Sequence, residues 1–321
     1  MGRLFGTDGV RGVANQDLTN ELAMKIGMAA AEILLKKSAD KRPTVMIGRD
    51  TRASGDMLEA ALTAGFCSVG VNVLSVGVVP TPAIAYLVGK YGCEAGVMIS
   101  ASHNPCEYNG IKIFQSTGYK LPDAVEDEIE AIILDSPDKI ELKTGGEVGR
   151  RTYCKTAVED YIEHIVSVCN VSFEGLNIAI DTANGSASVC AKEIFTRLGA
   201  KCHMLSDTPN GVNINLNCGS THMQELSDFV KANKLDLGIA FDGDADRMLA
   251  VDENGEIIDG DKIIAICATQ MKQDGTLAKN TAVVTVMSNM GFFKFCEAND
   301  IKCARTAVGD RYVLEKMLKD G

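Results

Sequence analysis

The chain has 321 residues, 46% of them apolar, and a formal net charge of −11, which is length enough for two or three domains of roughly 100–200 residues each. An acidic chain without clustered Lys and Arg is a poor non-specific binder of nucleic acid, and the lack of Trp removes platforms for base stacking. The apolar runs are broken well before the ~18 residues a membrane span needs, and the start, MGRLFGTDG, has no signal-peptide core. These features predict a soluble, cytoplasmic protein with no nucleic-acid or membrane partner.

In chain order, the recurring unit is a short apolar run, a loop of Gly, Ser, Asp or Asn, and a helical pattern. TVMIGRDTRASGDMLEAALTAGFCSVG and NVLSVGVVPTPAIAYLVGKYG are two such units, and in AGVMISASHNPCEYNGIKIF the second half returns to strand character. An acidic helix is predicted around DAVEDEIEAIILD. After a turn-rich stretch the pattern restarts with NIAIDTANGSASVCAKEIFTRLGA and LDLGIAFDGDADRMLAVDENG. A last set has DKIIAICATQMK as a helix and AVVTVMSNMG as a strand and turn. Strands that are apolar throughout and alternate with helices imply mixed or parallel sheets covered on both faces. The expected class is α/β, in tandem three-layer domains at 1–150, 151–255 and 256–321, the third incomplete. Eleven cysteines spread from Cys67 to Cys303 without a CxxC pair indicate neither a zinc cage nor a disulfide framework. They read as small core residues in a reducing compartment.

Loops at the carboxyl ends of such strands face the ligand crevice. VMISASHNP, residues 97–105, ends a strand in Ser100, Ser102 and His103, with Lys112 on the returning strand. A serine hydroxyl is a weak nucleophile unless a base, cation or metal assists it, and by itself the segment suits a plain turn better. FDGDADRML, residues 241–249, spaces Asp242, Asp244 and Asp246 two apart, so an extended loop would point all three carboxylates one way. Like charges so close require a cation, and hard oxygen ligands select Mg²⁺ or Ca²⁺. Counted as a helix–loop–helix calcium loop, position twelve is Glu253 as required, but position six is Arg247 rather than Gly, and the flanks are strands. A solvated acidic turn is the other alternative; the apolar strand leading in favours a metal loop at a strand end, with Arg247 placed to orient it or bind phosphate.

Two more segments bear on anions, and a third looks purely structural. GTDGVRG sets Arg11 between glycines, and GRDTRASG offers Arg49, Arg52 and Ser54 between a strand and a helix N-terminus; structural ion pairs are an equal reading of both. CGSTHMQEL has capping-box spacing in Thr221 and Gln224.

A loop serine, a three-Asp metal loop and dispersed arginines together suggest phosphoryl transfer through a phosphoserine, and here the chain closely resembles the α-D-phosphohexomutase superfamily. That family is marked by loops like SASHNP and DGDADR in this order. LFGTDGVRGVAN, CGSTH and MSNMG resemble its bacterial branch acting on glucosamine phosphate. The resemblance spans essentially the whole chain. It implies repeated α/β domains, Ser102 as the phosphorylated serine and further metal ligand, Asp242, Asp244 and Asp246 as Mg²⁺ ligands, and Arg11, His103, Lys112 and Arg247 around the phosphoryl group. The implied reaction interconverts glucosamine 6-phosphate and glucosamine 1-phosphate through a 1,6-bisphosphate, feeding UDP-N-acetylglucosamine and cell-wall precursor synthesis. The alternatives are a phosphomannomutase or phosphoglucomutase of the same superfamily, or a non-catalytic metal and sugar-phosphate binding protein; a homodimer stays open. The family's sugar-selecting loop (GEQSGH-like) and C-terminal phosphate loop (RxSGTEP-like) occur nowhere in the 321 residues. The expectation is therefore an N-terminal portion without the last domain and with little turnover.

Overall fold

Alternation along the inner strands sorts their side chains onto two cores. In strands β2 (Thr44–Arg49) and β4 (Ala95–Ile99), Val45, Ile47, Val97 and Ile99 enter one cluster, while Met46 and Met98 enter another on the opposite face. A strand buried on both faces is thus apolar throughout.

The computed structural model describes residues 3–6, 9–38, 40, 42–137 and 140–321. Thr7 and Asp8 of the first anion segment lie outside them. The described chain forms two compact units, 1–255 and 256–321.

In the first unit, β1 (Val10–Val13), β3 (Asn72–Val78), β5 (Tyr108–Gln115) and β6 (Arg151–Tyr153) join β2 and β4 in the order β1-β5-β4-β2-β3-β6. The pairs of β5 with β1 and with β4 are antiparallel, and the rest are parallel, so the sheet is mixed as expected. Helices α1 (Asn20–Lys37), α2 (Ser54–Ser68) and α4 (Asp123–Asp135) cover one face. Helices α3 (Thr81–Lys90) and α5 (Ala157–Val168) cover the other, sharing its core with Cys190 and with Ile194 of α6 (Ala191–Arg197). Helix α1 begins where Thr19 Oγ1 accepts the Leu22 N–H at 3.1 Å.

A second sheet within this unit runs β10-β9-β7-β8, made of β7 (Asn177–Asp181), β8 (Lys201–Leu205), β9 (Leu237–Phe241) and β10 (Met248–Asp252). Only β10 is antiparallel to its neighbour. Helix α7 (Gln224–Asn233) covers one face, and α6 with the turn at 186–189 covers the other. The predicted capping box does not form. Residues Gly219–Thr221 wind into a short 3₁₀ turn, α7 starts only after Met223, Thr221 Oγ1 meets His222 Nδ1, and Gln224 turns forward to Asp228.

The second unit contains β11 (Ile257–Ile258), α8 (Gly260–Gln273), β12 (Thr281–Thr285), α9 (Met290–Ala298), β13 (Lys302–Thr306) and α10 (Asp310–Asp320). Strands β12 and β13 pair in parallel, and Ala268, Ala282, Val284, Phe292, Cys296 and Ile301 form its core. All eleven cysteines are free, but only Cys93, Cys190, Cys218 and Cys296 are buried and Cys267 is exposed. The reading of all of them as core residues was too broad. No helix among the described residues is long and apolar enough to cross a membrane.

Candidate active site

The loop after β4 and the loop after β9 meet at the carboxyl ends of their strands. Ser102 is fully buried, with φ +53, and its Oγ donates to Asp242 Oδ2 at 2.5 Å. The loop is held from behind. Asp50, just past β2, accepts from Ser100 Oγ (2.6 Å) and pairs with Arg52 (2.9 Å), and Ser100 Oγ in turn accepts the Ser102 N–H (2.9 Å). Ser100 is therefore structural, its hydroxyl spent on Asp50 and on the backbone of Ser102.

Asp242, Asp244 and Asp246 converge, each offering an oxygen within 4.8 Å of the others. The expected convergence is present, but its cause is different. The segment is a turn rather than an extended loop, with Ala245 at φ +55 and its N–H on the Asp242 carbonyl (3.1 Å). Gly243 permits the approach, since a Cβ there would lie 2.6 Å from the Ser102 carbonyl oxygen.

Lys112 on β5 is buried and places Nζ 2.6 Å from Asp244 Oδ2 and 3.3 Å from Asp246 Oδ2. Thr81, the first residue of α3, adds its hydroxyl to Asp244 Oδ2 at 2.6 Å and its N–H to the Asp244 carbonyl at 2.9 Å. Burial works against the charged form of Asp244, but Lys112 and Thr81 outweigh it and hold this carboxyl below its ordinary range. Burial first, then the charges of Asp244 and Asp246, pushes Asp242 up to about 7. Asp246 sits at the mouth with its side chain 33% exposed, and desolvation with the charge of Asp244 raises its carboxyl.

His103 lies on the open side. Arg247 Nη1 donates to its Nδ1 at 3.2 Å, so that nitrogen is an acceptor, and Ser102 Oγ is 3.5 Å away. Burial, then the charges of Arg247 and Arg11, lowers the imidazole below its ordinary value. Arg11, on β1 opposite Gly110 of β5, acts by its charge on His103, Lys112 and Asp244. All eight predicted site residues thus come together.

The donor set suits a hard divalent cation. Three carboxylates and a hydroxyl oxygen converge, and among the described residues Asp244 Oδ1 is buried without a hydrogen-bond partner. An orphaned buried carboxylate oxygen is costly unless a ligand takes it up.

Of the two readings of the second anion segment, the structure takes the ion pairs. Arg49 pairs with Asp56 and Glu59 (2.5 and 3.1 Å), and Ser54 accepts from Asn109. Arg52 is fully buried and faces backbone carbonyls of the serine loop.

Three family descriptions match in tandem: phosphoglucomutase/phosphomannomutase alpha/beta/alpha domain I over residues 2–139, domain II over 159–255 and domain III over 259–321. The chain belongs to the phosphoglucomutase/phosphomannomutase family. Within that family it is 54% identical over all 321 residues to a phosphoglucosamine mutase of Clostridium acetobutylicum, covering 71% of that relative's length. Among solved family folds it matches a putative phosphomannomutase from Thermus thermophilus with TM-score 0.84 at 22% identity, over 100% of this chain and 73% of the other. It also matches an Aspergillus fumigatus N-acetylphosphoglucosamine mutase, solved in complex with GlcNAc-6P and magnesium, with TM-score 0.59 at 17% identity, over 99% of this chain and 65% of the other.

The family motifs mark the eight residues gathered at the serine and aspartate loops but not three that hold those loops: Asp50, Thr81 and Asn215. Thr81 opens α3 and Asn215 lies in a turn. Their partners lie 163 and 113 residues away, at Asp244 and Ser102, so no local pattern marks them.

Proposed function

We propose that the chain carries the phosphoserine and metal centre of a phosphoglucosamine mutase. The single observation that supports this most is Ser102 Oγ donating to Asp242 inside a three-carboxylate cluster that Lys112 partly neutralises. The substrate assignment rests on the relative 54% identical over the whole chain.

In the forward direction phosphorylated Ser102 is the donor. Its Oγ–P bond breaks as a bond forms from phosphorus to O1 of glucosamine 6-phosphate; the sugar hydroxyl gives up its proton and the serine oxygen regains one. The 1,6-bisphosphate turns round, Ser102 Oγ takes the 6-phosphoryl group, and glucosamine 1-phosphate leaves. Asp242, Asp244, Asp246 and the Ser102 oxygen would hold Mg²⁺, which when bound supplies counter-charge to the phosphoryl oxygens and the departing serine oxygen. Lys112, buried beside Asp244 and Asp246, and Arg247 beside His103 add positive charge, and Arg11 adds its own field. Such preorganised charge is the main catalytic resource of phosphoryl transfer. His103, neutral with Nδ1 engaged by Arg247, presents its other nitrogen for hydrogen bonding to substrate.

The test is the half reaction. Incubation with a hexose 1,6-bisphosphate and Mg²⁺ should add one phosphoryl group, located on Ser102 by peptide mass spectrometry and absent in Ser102→Ala. Phosphate on Ser100 with Ser102 unmodified, or no transfer at all, would overturn the assignment.

A further inference from the structure

Two carbonyls of the serine loop are each claimed from two directions. Arg52 Nη2 donates to the Ser102 carbonyl (2.9 Å) and the Asn104 carbonyl (2.9 Å), and Nη1 to that of Pro105 (2.6 Å). Asn215 Nδ2 donates to the same Ser102 and Asn104 carbonyls, at 2.9 and 3.0 Å. A carbonyl oxygen has two lone pairs, so both oxygens are filled, one donor coming from each α/β half of the unit.

The clamp holds a conformation that serine does not favour. Ser102 has φ +53, and the left-handed region costs a non-glycine residue roughly 1–2 kcal/mol. Strain of this kind persists only where the surroundings over-determine it. Both donors are fixed in turn. Arg52 is fully buried with Nε on Asp50 Oδ2 at 2.9 Å. Asn215 is itself left-handed (φ +57), and its N–H is tied to the Ala183 carbonyl beyond β7 at 2.9 Å.

We infer that Arg52 and Asn215 are positioning residues for the phosphoryl-transfer step, a jaw across the two α/β halves that keeps Ser102 left-handed so that Oγ faces the three aspartates. The inference deepens the proposed function and rests on it for the identity of the reaction. It also gives Arg52, which by sequence resembles an anion ligand, a task that leaves its guanidinium unavailable to substrate.

The experiment uses the 321-residue chain with Asn215→Ala, and with Arg52→Lys, which keeps the charge beside Asp50 but loses the fork. Phosphorylation of Ser102 by saturating hexose 1,6-bisphosphate should slow by ~100-fold in either variant, the size expected for displacing a reacting group by about an ångström. The concentration of donor giving half the maximal rate should change less than about twofold, because both side chains are buried and spent on backbone carbonyls. The rise in melting temperature with Mg²⁺ should persist, since the aspartates are intact. In the crystal structure of Asn215→Ala, Ser102 should leave the left-handed region or lose its contact with Asp242. A variant that is less stable yet phosphorylates at the wild-type rate, or that keeps Ser102 at positive φ against Asp242, would overturn the jaw. If wild-type Ser102 accepts no phosphoryl group, the proposed function fails, and the crystallographic comparison still decides the positioning role.

Discussion

Asp242, Asp244 and Asp246 show how one residue type takes three environments within five positions. Asp244 is charged and locked to Lys112, Asp242 is pushed toward protonation, and Asp246 is half open at the mouth. Mg²⁺ binding should therefore stabilise the fold by mass action, about 2.7 kcal/mol at a concentration one hundred times the dissociation constant. Asp246→Asn removes a mouth ligand without stranding the buried Lys112–Asp244 pair. It should leave the metal-free melting temperature nearly unchanged and shift the Mg²⁺ titration of that temperature to higher concentration. A variant titrating like wild type would remove Asp246 from the ligand set. Asp244→Asn is a harsher change, because it breaks a buried ion pair; a loss of ~3–5 kcal/mol in denaturant unfolding is expected.

Two element-level contacts hold the first unit together. Glu130, a buried carboxylate on α4, accepts the backbone N–H groups of Arg3, Leu4 and Phe5 at 2.7, 2.7 and 2.6 Å, anchoring the segment that leads into β1 and Arg11. Burial opposes its charge, but these N–H groups outweigh burial and lower its carboxyl below the ordinary value. With the folded value depressed, the stabilisation is present above the unfolded pKa of about 4.3 and is lost as pH falls through the folded value. Glu130→Ala should thus cost roughly 1–3 kcal/mol at pH 7, and urea curves of wild type and variant should draw together at acid pH. A gap that widens on acidification would reverse the sign. Helices α1 and α2 cross at Gly27 and Gly65, where a Cβ on Gly65 would lie 2.3 Å from the Met24 carbonyl oxygen. Gly65→Ala should force the helices apart at a cost of about 1–3 kcal/mol, read from the urea midpoint, with Ser102 phosphorylation of the folded fraction unchanged.

Across the whole molecule, every residue assigned to phosphoryl transfer lies within residues 1–255, while the chain spans 71% of its Clostridium acetobutylicum relative. The GEQSGH-like and RxSGTEP-like segments expected to grip the sugar and its non-reacting phosphate are not among the 321 residues. Binding energy from a non-reacting group orients the reacting one. Residues 1–321 should accordingly phosphorylate at Ser102 yet convert glucosamine 6-phosphate at least ~100-fold more slowly than a chain extended through such segments. Equal turnover in a coupled assay for glucosamine 1-phosphate would show that the site is complete without them.

The amino-acid sequence by itself determined the α/β class and which serine and aspartates the fold brings together. Apolar strands alternating with helices, Ser102 at a strand end and three aspartates within five residues are local features that can be read without knowledge of neighbours. Only the tertiary structure decided what stands behind that chemistry. GRDTRASG reads equally as an anion site or as ion pairs until Arg52 is seen buried against carbonyls 50 to 53 residues away. The box spacing of Thr221 and Gln224 is correct for a cap, yet the backbone turns at Gly219, whose N–H is drawn to Asp181 Oδ2 at 2.7 Å, and the helix starts too late for it. Hydrogen-bond partners chosen across a fold leave no periodic trace, because the choice depends on which strands and loops are brought side by side and not on the spacing of residues within any one of them.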